Sequence, residues 1–199
     1  GRGRMADTLI FNARLIDPEA GEVRPGALLL SGGRIAEVFD TPEPEIGTDR
    51  VPAPARIDAN GAFVAPGIVD IGVKVCEPGE RHKESFRSAG LAAAAGGGTT
   101  MVTRPDTLPA IDTPEALEFI RRRANEAAPV NVLPMAALTK GREGREMTEI
   151  GFLMDAGAVA FTDCDHVVTD TKVLSRAMTY ARSLGALVMM HPQDPGLSA

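Results

Sequence analysis

Tryptophan is absent from the 199-residue sequence, tyrosine occurs once, and seven phenylalanines are the remaining aromatics. So few flat rings argue against a surface that grips bases or sugars by stacking. Cysteine is scarce too, with only Cys76 and Cys164. Two thiols make no disulfide framework, and a reducing cytoplasm is the expected setting. The apolar-leaning runs, such as Ala186 to Met190, fall far short of the roughly 20 residues a bilayer span needs. Nothing near the start resembles the apolar segment of a secretory signal. Basic residues number 21 against 27 acidic ones, a net charge of −6. Neither a nucleic-acid surface nor a polybasic membrane patch is therefore expected. With 44% hydrophobic and 24% charged residues, the chain reads as a globular protein with one sizeable core or two small ones. Gly1 to Arg4 precede Met5 and read as a remnant of expression cloning, outside the fold.

Residues 5–62 carry short β segments and turns. Segments 8–11 and 13–16 lead to a turn at Asp17-Pro18-Glu19-Ala20-Gly21. Segments 27–30 and 34–39 flank Ser31-Gly32-Gly33 as a hairpin. Four prolines make 41–55 a loop, and 56–59 and 61–64 resume strand character. Residues 63–199 have a different texture. Extended runs at 63–75, 99–103, 130–136, 158–161 and 186–191 alternate with helical ones at 85–95, 112–127, 146–155 and 171–184. The second helix opens on Thr113-Pro114, a cap followed by proline at the first helical position. Five strands alternating with four helices mean a parallel α/β sheet with right-handed crossovers. An open doubly wound sheet and the first part of an eight-stranded barrel both satisfy that pattern. The absence of G-x-G-x-x-G before the first helix counts against a dinucleotide fold.

Particular segments resemble a known family. Val64-Ala65-Pro66-Gly67-Ile68-Val69-Asp70, after an N-terminal β module, resembles the first barrel strand of the amidohydrolase superfamily. Glu77-Pro78-Gly79, His82-Lys83-Glu84-Ser85 and the stretch from Ala92 to Thr100 resemble motifs of dihydroorotases of the long, multifunctional-complex type. So do Arg104-Pro105-Asp106-Thr107-Leu108-Pro109, Phe161-Thr162-Asp163 and His191-Pro192-Gln193-Asp194. The resemblance implies a TIM-type (β/α)8 barrel of which the first five strands are present, over residues 63–199. It further implies an N-terminal β-sandwich module over residues 5–62, completed by a C-terminal segment.

Members of that family are expected to hold zinc at the C-terminal ends of barrel strands. The metal ionises a water and polarises the amide carbonyl of the ring being opened or closed. The first strand should supply Asp-x-His-x-His, with a substrate-clamping arginine two residues on. The matching positions are Asp70, Gly72, Lys74 and Cys76, which by strand alternation share one face. Gly72 has no ligand atom, and Lys74 brings a cation that would repel a nearby metal by several kcal/mol. Cys164 stands where the resemblance places a metal-bridging, proton-shuttling aspartate; a thiolate shuttles protons poorly. Asp163 and Asp165 flank it with side chains expected on the opposite face. Asp106 replaces a substrate-binding asparagine. His191 alone keeps the expected ligand type.

Two functional readings follow. In the first, the chain is a dihydroorotase-like protein of pyrimidine biosynthesis that has lost catalysis and needs no cofactor. It is then a structural partner of aspartate carbamoyltransferase in a cytoplasmic homo-oligomer, and Lys74 replaces the metal charge by pairing with Asp70, Asp106 or Asp163. In the second, it is an active zinc enzyme interconverting carbamoyl aspartate and dihydroorotate, with a site rebuilt on Cys164 and His191 plus residues from the missing half; a Cys76-Cys164-His191 zinc site is conceivable, but buried inert thiols are the commoner outcome. A hydantoinase is disfavoured, because no lysine lies near Cys164 to be carboxylated. His82 and His166 read as solvated, and Arg121-Arg122-Arg123 as a solvated helix face. Five barrel strands would leave open edges and apolar interior, so the sequence reads either as a fragment of a chain about twice as long, the favoured case, or as one completed by another polypeptide.

Overall fold

The computed structural model describes residues 7–45 and 55–193. Two compact units divide between Pro66 and Gly67, a few residues beyond the expected boundary at 62. The shift arises because Phe63–Val64 pairs with the first strand of the N-terminal unit instead of opening the second.

In the N-terminal unit, β1 (Thr8–Asp17), β2 (Glu22–Ser31) and β3 (Arg34–Phe39) form antiparallel hairpins. β4 (Ala55–Asp58) and β5 (Phe63–Val64) add to β1 in parallel. The segments 8–11 and 13–16 are one strand rather than two. A bulge between Ile10 and Ala13 absorbs the break, with Asn12 at φ 55° and its amide donating to the Asp58 carboxylate at 3.0 Å. Leu9, Ala27 and Leu29 are fully buried on one face of this sheet. The second layer of the expected sandwich is not among the described residues. Part of the proline-rich loop, residues 46–54, also lies outside them.

The second unit is α/β. Strands β6 (Ile68–Val73), β7 (Gly98–Thr103) and β8 (Asn131–Pro134) form a parallel sheet in chain order. The expected fourth and fifth strands shrink to single parallel bridges, Ala136 to Phe161 and Phe161 to Val188. Helix α1 (Phe86–Ala95) starts at a capping box of Ser85 and Ser88. Helix α2 (Pro114–Ala127) starts at Thr113, whose hydroxyl accepts from the Ala116 amide. Helix α4 (Thr171–Leu184) runs from the Asp170 cap to Gly185 in the left-handed region. Helix α3 (Ile150–Asp155) is shorter than the expected 146–155. Its front half instead folds back as a strap: Thr139 bridges Met147, Lys140 N–H donates to Glu146 O, and the Thr148 hydroxyl donates to Ala137 O.

The helices cover one face of the sheet, burying Phe86, Met101, Leu117, Ile120, Leu153 and Phe161. On the opposite face Val102, Met135 and Ala160 pack with Met189. Ile71 and Leu133, which flank Val102 in register, are 61% and 41% exposed there. Among the described residues no helix is long and apolar enough to cross a membrane.

Candidate functional site

The loops after the strands of the second unit gather a chain of charges. β6 carries an extra residue at Gly72, which lies at φ +91°, and its register against β7 shifts between Ile71 and Val73. This bulge breaks the strict alternation expected from Asp70 through Gly72 to Lys74 and Cys76. Asp70 stands opposite Met101, and Val73 opposite Thr103, so both lie on the helix-covered side. Lys74 lies just past the end of the strand and lines one cavity with Asp70, Val73 and Met101.

Of the three partners considered for Lys74, the structure selects Asp106: Nζ lies 3.1 Å from Oδ2. The Asp106 side chain is only 4% exposed, and Arg104 grips it from Nε at 3.1 Å and Nη2 at 2.8 Å. One buried carboxylate thus holds two cations, which compensates its loss of water. From Arg104 the chain continues to Asp165 at 4.0 Å. Arg142 Nη1 then donates to Asp165 Oδ1 and to Asp163 O, both at 3.1 Å. Burial works against ionising Asp165, but its own backbone amide and Arg142 hold its carboxyl below the usual range.

Asp163 serves a different purpose. Its Oδ1 accepts from the amides of Leu138 and Thr139 at 2.9 and 3.0 Å, and its Oδ2 from the Thr139 hydroxyl. It fastens the 138–139 backbone and is not Lys74's partner. Cys164 has φ +59°, so alternation stops there; Asp165 turns into the charged chain instead of away from it. The Cys164 thiol is half-buried. Burial and the Asp106 anion push its pKa up, and Arg104 and Arg142 work against them. Cys76 is half-buried in the turn whose carbonyl accepts from Glu80 N–H.

His191, His82 and His166 are all exposed, and His166 Nδ1 lies 2.9 Å from Arg142 O. Asp194 lies outside the described residues. Among the described residues no three His, Cys, Asp or Glu side chains gather closely enough to hold a metal ion. The side chains at this rim do not fit zinc: Gly72 supplies no donor, and a lysine and two arginines occupy the space around Asp106 and Cys164.

Sequence reasoning missed Arg104, Arg142 and Asp165 as members of this chain. The only signal was the closeness of Arg104 to Asp106. The Arg121 to Arg123 run also needs correction, since it is not a plain solvated face. Arg123 ion-pairs with buried Glu77 at 2.8 Å, Arg121 donates to Ala156 O at 2.6 Å, and Arg122 stacks on Phe119.

Comparison with known proteins gives the family. The model of the dihydro-orotase-like family matches residues 61–199. The chain belongs to that family. This dihydroorotase-like chain is 40% identical over 190 residues to a dihydroorotase of Sulfurihydrogenibium, covering 96% of the chain and 44% of the relative. It is also 40% identical over 189 residues to a dihydroorotase-like protein of Pseudomonas putida, covering 95% and 43%. It thus spans less than half the length of these curated relatives. Among solved structures, an L-hydantoinase from Arthrobacter aurescens superposes with a TM-score of 0.80 over 97% of this chain and 42% of its own. At 23% identity that likeness is one of fold.

Proposed function

We propose that this dihydroorotase-like chain forms the first five strands of an amidohydrolase barrel that carries no zinc and no dihydroorotase activity. Its role in pyrimidine biosynthesis is then structural: a cytoplasmic homo-oligomer that binds aspartate carbamoyltransferase. The observation that carries this reading is the Lys74–Asp106 ion pair. A cation stands on the first strand where the family's chemistry needs a neutral imidazole, and it is held by a buried carboxylate. Gly72, beside it on the bulge, offers nothing to a metal.

Three measurements on the whole protein test this. Metal analysis after purification with zinc available is expected to find under about a tenth of an equivalent, far below the stoichiometric zinc of a closed site. Dihydroorotate hydrolysis is expected to stay at background. Aspartate carbamoyltransferase from the same organism is expected to co-purify. About one equivalent of tightly held zinc, with activity abolished by His191→Ala, would instead establish the rebuilt catalytic site. Failure to bind the transferase would remove the scaffold role alone.

A further inference from the structure

Between the strap at 140–149 and helices α3 and α4 runs a groove of about 570 Å³, all of it within the second unit. Met147, Phe152, Val173 and Tyr180 supply its apolar lining. Gly151 lets α4 lie close to α3: a methyl group there would sit 3.4 Å from the Tyr180 hydroxyl and 3.6 Å from Leu184 Cδ1. Phe152 is 63% exposed and Tyr180 40%, and Tyr180 is the single tyrosine of a chain without tryptophan. Aromatic residues, methionine and arginine are the types enriched where proteins meet.

The charges around the groove are balanced. Lys140, Arg145 and Arg176 face Glu146, Glu149 and Asp155. Lys140 closes on Glu146 at 2.6 Å, and Arg145 lies 3.9 Å from Glu143. Arg176 on α4 and Asp155 on α3 are both exposed, and neither has an ion-pair partner among the described residues. A partner charged with one sign would meet as much repulsion as attraction here. A surface that carries both signs complements itself when turned about a two-fold axis, and every such contact is made twice.

We propose that this groove joins two copies of the chain, with Phe152 of each packed against the groove of the other between reciprocal Arg176–Asp155 pairs. The proposal rests on the homo-oligomeric reading above and gives it an interface.

Sedimentation velocity on the whole protein over a concentration series tests it. The unaltered protein is expected to be at least dimeric. Arg176→Asp leaves two anions at the contact and Asp155→Arg two cations. Each alone is expected to raise the dissociation constant about tenfold or more, because like charges then meet twice. Mixed in equal amounts, the two variants are expected to recover the dimer, since both contacts again join opposite charges. A variant that had merely lost its fold could not restore it. Phe152→Glu, at an exposed position, is a second probe and is expected to yield monomers. Association that none of the three variants weakens, or no recovery on mixing, overturns this interface and leaves the homo-oligomeric reading standing. An unaltered protein that stays monomeric overturns both. A monomer whose Phe152→Glu variant loses aspartate carbamoyltransferase gives the groove to that partner and overturns its use by a second copy.

Discussion

Arg123 on α2 donates to Glu77 Oε1 from Nε at 2.9 Å and from Nη2 at 2.8 Å, while Glu77 Oε2 accepts from the Phe86 amide at the start of α1. One buried carboxylate therefore ties the loop after β6 to two helices. Arg123→Met is expected to destabilise the protein by about 2 kcal/mol. Glu77 would lose its two-pronged charged partner but keep the Phe86 amide and Arg81 at 4.0 Å, and Arg123 itself is partly wet. Urea unfolding of the variant against the unaltered protein measures this, and a midpoint shift without a change in slope is the expected form.

Asp163→Ala should cost more, about 2–4 kcal/mol, because it leaves two buried amides and the Thr139 hydroxyl without an acceptor. Asp165→Ala, whose side chain is 68% exposed, should stay within about 1 kcal/mol. The same unfolding series compares them. Equal losses at the two positions would contradict the different roles assigned to them.

Much of this architecture is legible in the sequence, and the errors have specific causes. The limits of α2 and α4 follow from Thr113-Pro114, Asp170 and Gly185, since caps act locally. Helix α3 was overestimated because Thr148 hydroxyl bonding to a distant carbonyl leaves no mark in a local pattern. The strict alternation expected from 70 to 76 is broken by one backbone angle at Gly72. Asp165 was placed on the wrong side by a second angle, at Cys164. Lys74's need for a carboxylate could be inferred from charge alone, but choosing Asp106 required the loop geometry.

Gly72 yields a test that separates backbone from contact. A methyl group there meets no atom within 4 Å, yet the residue lies at φ +91°. Gly72→Ala is expected to cost about 1–2 kcal/mol through conformation alone. By the same reasoning, Gly72→His combined with Lys74→His should not create a tight zinc site, because the bulge does not present a normal side chain to the rim. Calorimetric zinc titration of the double variant checks this.

Thr103 is 2% exposed, and its hydroxyl has no hydrogen-bond partner among the described residues. Thr103→Val, nearly the same in shape, is expected to raise stability by about 1 kcal/mol by removing that unmet polar group. Thermal unfolding decides it, and a lower midpoint would reveal a partner for the hydroxyl.

The raised pKa of Cys164 has a definite sign in pH. Burial, reinforced by Asp106, keeps the folded thiol protonated at pH values where the unfolded one ionises. Its contribution is intact below the unfolded pKa and is lost as pH rises towards the folded one. Labelling by a neutral reagent should accordingly rise at higher pH than for glutathione, and Cys164→Ser should flatten the alkaline fall in stability.

Glu77 and Asp163 belong to the segments by which the chain resembles its family, and both hold backbone in place. On the proposed reading, Gly72, Lys74 and Cys164 depart from it and sit where its chemistry would occur. Under that proposal, natural selection has relaxed on the reaction while still policing the shape, because the two depend on different atoms. Kinship read from overall similarity therefore measures inherited form, and a descendant can stay plainly recognisable long after it has changed occupation.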